Sequence, residues 1–174
     1  MEVFALKKKC GFIGHFVFFM ILALTVVAVA HARGVHLTRV DAKLYMVDAE
    51  MLRLIPVKIK IPEGDTQRMA QRLLDELIEG RDENPKIRRL IPKIPGCLTA
   101  HVEDYNVTVN ISGEVLKKHP EGRDLELLTI YQIVNTLTEL NGIKTVRFTI
   151  DGKVQRNFMG YIDMRETFVP DYFI

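Results

Sequence analysis

Few side chains in this sequence have the types and spacing that chemistry requires. Histidine is the usual general acid–base and metal-ligating side chain, and only His36, His101 and His119 follow residue 32. None shares an element with a second His, Cys, Asp or Glu at ligand spacing, so no metal site is expected. Ser112 is the single serine of the chain. It precedes Gly113-Glu114 outside any Gly-x-Ser-x-Gly setting and reads as a turn that ends a strand, not as an activated nucleophile. Three pairs of neighbouring carboxylates, Glu63 with Asp65, Asp75 with Glu76 and Glu103 with Asp104, could in principle divide acid and base roles. Their surroundings read instead as a helix start, a solvated helix face and a turn, none of which raises a carboxyl pKa. Asp151-Gly152-Lys153 fits a hairpin turn better than a phosphate cradle. The expectation is therefore no catalytic residue, no cofactor and no metal.

What remains is a surface. Residues 81–98 hold Pro85, Pro92, Pro95 and Gly96, with Arg88, Arg89 and Lys93 interleaved among Ile87, Leu90, Ile91 and Ile94. A proline-stiffened loop that carries Lys86, Arg88, Arg89 and Lys93 presents local positive charge, suited to an acidic partner protein, an anionic lipid or a wall polymer. The alternative reading is a basic loop whose isoleucines cover a sheet edge and whose charges are solvated. Overall charge excludes a different partner class. Lys7, Lys8, Lys9 and Glu2 account for the net +2, so residues from Arg33 onward carry 21 basic and 21 acidic side chains. A neutral domain with no Trp and 8% aromatic residues lacks the electrostatic footprint and stacking platforms of nucleic-acid binding.

The elements that must hold this surface follow a targeting segment. Gly11–Ala30 is an apolar run interrupted only by His15 and Thr25, with the three lysines before it and Arg33 after it. Its 20 residues match a membrane span, whereas a signal-peptide apolar region is about 7 to 15 residues long. Ala28-Val29-Ala30 and Ala30-His31-Ala32 also satisfy the small-x-small pattern of a cleavage site. Residues 1–32 are thus a signal peptide or an N-terminal anchor, with the rest of the chain extracytoplasmic. Cys10 precedes the apolar run and cannot be a lipoprotein cysteine. Cys97 is left as the only exported cysteine, and its Pro95-Gly96 and Leu98 neighbours suggest a small buried residue.

After a linker at 33–42, apolar alternation predicts strands over 43–47 and 52–61. Asp65 or Thr66 caps a helix with Ala70, Leu73, Leu74, Leu77 and Ile78 on one face, closed by Gly80. Residues 98–103 and 107–111 form a hairpin around Asp104-Tyr105-Asn106, with Val107, Val109 and Ile111 turned to the core. A second helix spans 122–140, capped by Asp124. Its apolar stripe runs through Leu127, Ile130 or Tyr131, Val134, Leu137 or Thr138, and Leu140. Asn135, Thr136 and Thr138 are unusual in a helix interior and suit bonds to neighbouring backbone or a facing strand. Val146, Phe148 and Ile150 alternate into the Asp151-Gly152 turn and a closing strand from Val154. The order β-β-α-β-β-α-β-β makes an α+β two-layer sandwich, two helices on a mainly antiparallel or mixed sheet. Asn106-Val107-Thr108 and Asn110-Ile111-Ser112 fit the glycosylation pattern, but both asparagines fall inside the hairpin.

These segments resemble the GerMN domain of bacterial sporulation and germination proteins. Leu44–Asp48 is similar to its opening strand and Leu90-Ile91-Pro92 through Gly96 to its proline segment. Tyr131–Glu139 is similar to its second helix and Val146–Gly152 to its final hairpin. The likeness covers residues 43–168 in a single copy, with 169–174 as a C-terminal tail. Asn110 stands where the family usually has an acidic residue, and Gly160-Tyr161-Ile162-Asp163 lacks its Gly-His pair. The resemblance implies an extracytoplasmic domain similar to ring-building motif domains, without known catalysis. The partners implied are an envelope or spore-assembly protein and further copies of the chain, with the membrane held by the N-terminal segment if uncleaved. A wall- or polysaccharide-binding module and a small hydrolase are the competing readings.

Overall fold

The computed structural model describes residues 38–174; the signal or anchor expected at 1–32 lies outside the described residues, as does linker segment 33–37. Strand β1 (Arg39–Asp48) pairs antiparallel with β2 (Leu54–Pro62), from Arg39↔Pro62 to Val47↔Leu54. It therefore starts within the segment expected as linker. Helix α1 (Thr66–Glu79) buries Ala70, Leu73, Leu74, Leu77 and Ile78, the face its spacing predicts. Asp65 caps it by accepting a bond from the Arg68 amide at 2.8 Å. Gly80, at φ 66°, turns the chain out of the helix through a conformation that favours glycine.

The segment expected as one long loop contributes a two-residue strand, β3 (Ile87–Arg88), which pairs with Val47 and Asp48 and completes a sheet ordered β2-β1-β3. A second sheet is ordered β4-β5-β6. Strands β4 (Leu98–Glu103) and β5 (Asn106–Ile111) form the expected hairpin, with Val107, Val109 and Ile111 buried. Strand β6 (Thr145–Ile150) lies parallel to β5. Parallel neighbours need a long crossover, here a short helix α2 (Gly113–Lys118) that the sequence reading did not separate, followed by α3 (Arg123–Thr138). The class is α+β as expected, with its strands divided between two three-stranded sheets.

Two expectations about α3 need correction. Asp124 does not cap α3: the cap residue is Gly122, without a side-chain bond, and Asp124 lies exposed in the first turn. Nor is α3 buried along one stripe. It packs against β1, β6 and α1, and Leu128, Ile130, Ile133, Val134 and Leu137 are buried together with Glu126, Thr129, Gln132, Asn135 and Thr136. A helix covered on several sides loses the one-faced periodicity that a sequence shows.

The closing strand from Val154 is also absent as such. Asp151 (φ 48°) and Gly152 (φ 76°) make the turn, and Ile150 exchanges two backbone bonds with Lys153. Beyond it the chain leaves the sheet to bury Phe158 and Met164, and Phe168 forms an isolated bridge with Val146. The outer edge of β4 is closed by α1. Gln67 bonds the Ala100 carbonyl and Val102 amide, each at 2.8 Å, and Gln71 bonds the Leu98 carbonyl at 3.1 Å and the Ala100 amide at 2.9 Å. Two amide side chains one turn apart thus stand in for a neighbouring strand.

Candidate interaction surface

The four basic side chains of the 85–96 segment divide by role. Arg89 is turned inward: its guanidinium donates to the carbonyls of Ile78 and Glu79 and makes two bonds to Asp82. It thereby neutralises the negative end of α1. Gly80 makes room for it, since a Cβ there would lie 2.5 Å from Arg89 Nη2. Lys93 pairs with Glu79 at 2.8 Å. Lys86 and Arg88 are exposed, and neither has a carboxylate partner among the described residues. Ile87, Leu90 and Ile91 are buried beneath them, and the Lys86 amide is held by Asn84 Oδ1 at 3.0 Å. The segment, paired to β1 through Ile87 and Arg88, carries two outward positive charges.

Most other polar groups with chemical capacity are engaged in structure. Glu126, only 1% exposed, accepts the amides of Tyr161 (3.2 Å) and Ile162 (3.0 Å); a buried carboxylate needs such donors. His119 donates from Nδ1 to the Pro120 carbonyl at 2.7 Å, and its Nε2 lies 2.7 Å from Thr129 Oγ1. With Phe158 against its ring, burial holds its pKa below the ordinary histidine value, against the Pro120 carbonyl and the Glu126 charge, which raise it. Asn135 exchanges bonds with the Asp171 backbone (2.6 and 3.0 Å), Thr136 accepts the Tyr45 amide at 2.9 Å, and Thr138 bonds back to the Val134 carbonyl at 2.8 Å. These are the backbone bonds expected of them. Gln132 Oε1 is buried without a partner among the described residues.

His101 is exposed beside Glu103 at 3.2 Å, and His36 lies outside the described residues. Ser112 caps α2 through the Glu114 amide at 3.3 Å, Asp75 accepts from Gln71 at 3.0 Å, and Glu76 pairs with Arg72 and Arg81 at 2.6 and 2.7 Å. Asp104, at φ 52°, sits in the hairpin turn. Cys97 is buried, which pushes its thiol pKa up. Asn110 accepts from Thr149 (3.0 Å) and the Gly152 amide (2.6 Å), so its side chain is engaged in the fold. Among the described residues no group of His, Cys, Asp and Glu could hold a metal ion, and no helix is long and apolar enough to cross a membrane.

Sequence reasoning missed an exposed apolar feature. The β1–β2 turn carries Met51 and Leu52, and the C-terminal residues add Tyr172 and the fully exposed Phe173. The two segments meet where the Leu54 amide donates to the Ile174 carbonyl at 3.0 Å, and Tyr172 lies against Tyr45 with ring centroids 5.4 Å apart. Residues 169–174 are packed onto the domain. A terminal Tyr-Phe pair and an apolar dipeptide in a turn were the available signals, but only the fold brings them together.

Comparison with known proteins places this architecture. The family model described as "Germane: Sporulation and spore germination" matches residues 43–156. Solved structures share the fold, among them the following three. A candidate lipoprotein from Clostridium perfringens aligns at TM-score 0.55 and 20% identity, over 77% of this chain and 89% of that one. The tandem GerMN domains of the sporulation protein GerM from Bacillus subtilis align at TM-score 0.57 and 17% identity, over 73% of this chain and 44% of that one. The first GerMN domain of the same protein aligns at 0.53 and 19% identity, over 72% and 92%. No curated protein matches the chain.

Proposed function

This chain belongs to the Germane family of sporulation and spore germination proteins, and from that premise we propose that it is a non-catalytic interaction and assembly module of the bacterial envelope, acting in spore formation or germination. It works outside the cytoplasm, held at the membrane by residues 1–32 or released after their cleavage. Its partners are an envelope or spore-assembly protein and further copies of itself.

The observation that carries this reading is the exposed pair Lys86 and Arg88, which has no carboxylate partner among the described residues. Surface cations without a local carboxylate can pair with an acidic surface, at the cost of ordering two long side chains. Arg89 and Lys93, in contrast, already serve α1, so the binding charge is narrower than the full basic loop. Charge reversal separates the two pairs. Lys86→Glu with Arg88→Glu leaves folding intact and abolishes capture of the envelope partner in a crosslinking pull-down from sporulating cells; light scattering across concentration reads self-association in parallel. Unchanged capture by the folded double variant sinks the assignment of this surface. Retention of the protein on purified cell wall, with no protein captured, would favour the wall-binding reading.

A further inference from the structure

Glu126 is the only buried carboxylate among the described residues, at 1% exposure. It stands in the first turn of α3, and the amides of Tyr161 and Ile162 both donate to its Oε2, at 3.2 and 3.0 Å. Its Oε1 accepts no bond from the described residues, and no lysine, arginine or histidine nitrogen among them lies at ion-pair distance from either oxygen. His119, which feels the Glu126 charge, gives its ring nitrogens to the Pro120 carbonyl and Thr129 Oγ1 instead. The α3 N-terminus and the two amides stabilise the negative charge. A buried carboxylate calls for a counter-charge as well, and the described side chains supply none.

Glu126 lines a cavity of about 440 Å³ together with Glu121, Gly122, Met159, Gly160 and Tyr161. No lysine or arginine lines it. Glu121 is exposed and likewise makes no ion pair among the described residues. The neighbouring cations are turned elsewhere: Arg123 lies 3.7 Å from Asp124, Arg165 pairs with Asp163 at 2.6 Å, and exposed Arg156 also acts on Asp163. The wall that carries Met159 and Tyr161 is a closed loop. Asn157 bridges Asp163, the Phe158 amide donates to the Ile162 carbonyl at 3.0 Å, and Asn157 Nδ2 donates to the Gly160 carbonyl at 3.2 Å. Phe158 and Met164, both 2% exposed, seat this loop in the core. Because two amides occupy Oε2, Glu126 does not offer the pair of coplanar oxygens that a guanidinium fork matches. A compact ammonium needs only Oε1, finds a second acceptor in Glu121, and is favoured by an aromatic wall such as Tyr161. Among the described residues no group of three His, Cys, Asp or Glu side chains is placed to hold a metal ion.

We propose that this cavity binds an alkylammonium group, the chemistry shared by a lysine side chain and a free primary amine. The nitrogen sits at Glu126 Oε1 and Glu121, and the carbon stem lies along Met159 and Tyr161. The same carboxylate holds the loop through Oε2 and the ligand through Oε1, so the Tyr161 and Ile162 amides report occupancy. The site uses other elements than Lys86 and Arg88, is opposite to them in charge, and stands whether or not that pair is an interface.

The test uses the isotope-labelled full chain in detergent micelles and follows the Tyr161 and Ile162 amide resonances as small probes are added. One probe is Nα-acetyl-lysine amide, one is the same molecule acetylated at its ε-nitrogen, and one is Nα-acetyl-arginine amide. The lysine probe is expected to shift both resonances saturably, and the neutral and guanidinium probes to bind at least about fivefold more weakly. Glu126→Gln keeps an acceptor for both amides, removes the charge, and lowers affinity for the lysine probe by at least about tenfold. Glu121→Lys, at an exposed position, puts a competing ammonium at the cavity and has the same effect, while Lys86→Glu with Arg88→Glu changes nothing. Butylamine separates the sources: affinity equal to that of the lysine probe points to a free amine and tighter binding of lysine within a pentapeptide to a protein side chain, and either result supports the site. Absence of saturable shifts, equal binding of the ε-acetylated or arginine probe, or native affinity in either folded glutamate variant overturns the proposal.

Discussion

Asn135→Ala tests how the C-terminal residues are held. Asn135 is fully buried in the middle of α3 and exchanges two hydrogen bonds with the Asp171 backbone, at 2.6 and 3.0 Å. Each such bond contributes about 0.5–1.5 kcal/mol net, and truncation also leaves a small void. The expected loss is about 2 kcal/mol, with part of the penalty relieved because Asp171 is only half-buried. For a folded unit of this size that lowers Tm by about 6–8 °C. The loss should be local as well as global. Once Asp171 is released, Tyr172 leaves Tyr45 and the Leu54 amide loses its acceptor at Ile174, so hydrogen exchange at Leu54 accelerates before global unfolding. Thr138→Ala is the internal control, because Thr138 bonds only its own helix backbone and its loss should stay within about 0.5 kcal/mol. Thermal unfolding by circular dichroism and amide exchange by mass spectrometry read both effects. Equal Tm for the two variants, or unchanged exchange at Leu54 in Asn135→Ala, would refute the account of the C-terminal residues as a docked segment pinned by α3.

Three further outcomes follow from the same structure. Gln67→Ala with Gln71→Ala strips four bonds from the β4 edge; the expectation is a loss of about 2 kcal/mol in denaturant unfolding and concentration-dependent association in sedimentation, since an uncovered edge pairs with other strands. Gln132→Met replaces the amide whose Oε1 is buried without a partner by a side chain of similar shape, and should raise stability by about 1 kcal/mol in the same assay. His119 gives a pH dependence. Burial lowers its folded pKa below the ordinary 6.5, so the unfolded chain binds the proton first and stability, complete above pH 6.5, declines as pH falls toward the folded value. Asp163, at about 2, acts only below the ordinary carboxylate range. A Tm that falls between pH 7.5 and 5.5 in the native protein and stays flat in His119→Gln is the expected result; parallel declines in both would remove His119 as the cause.

The sequence by itself determined the elements that have one wet and one dry face, and their punctuation. The α1 spacing, its Asp65 cap and Gly80 exit, the β4–β5 hairpin and the Asp151-Gly152 turn are local statements, because each depends on residues within a turn or two of one another. The α+β class and the family followed from their order. Only the tertiary structure decided that α3 is buried on several sides, that Arg89 serves α1 while Lys86 and Arg88 face outward, and that β6 runs parallel to β5. It also decided that the chain after Lys153 abandons the sheet to bury Phe158 and Met164. The burial of α3 depends on partners far along the chain: Tyr45 for Thr136, Asp171 for Asn135, Tyr161 and Ile162 for Glu126. A polar residue in a helix looks the same in sequence whether water or a distant backbone group satisfies it.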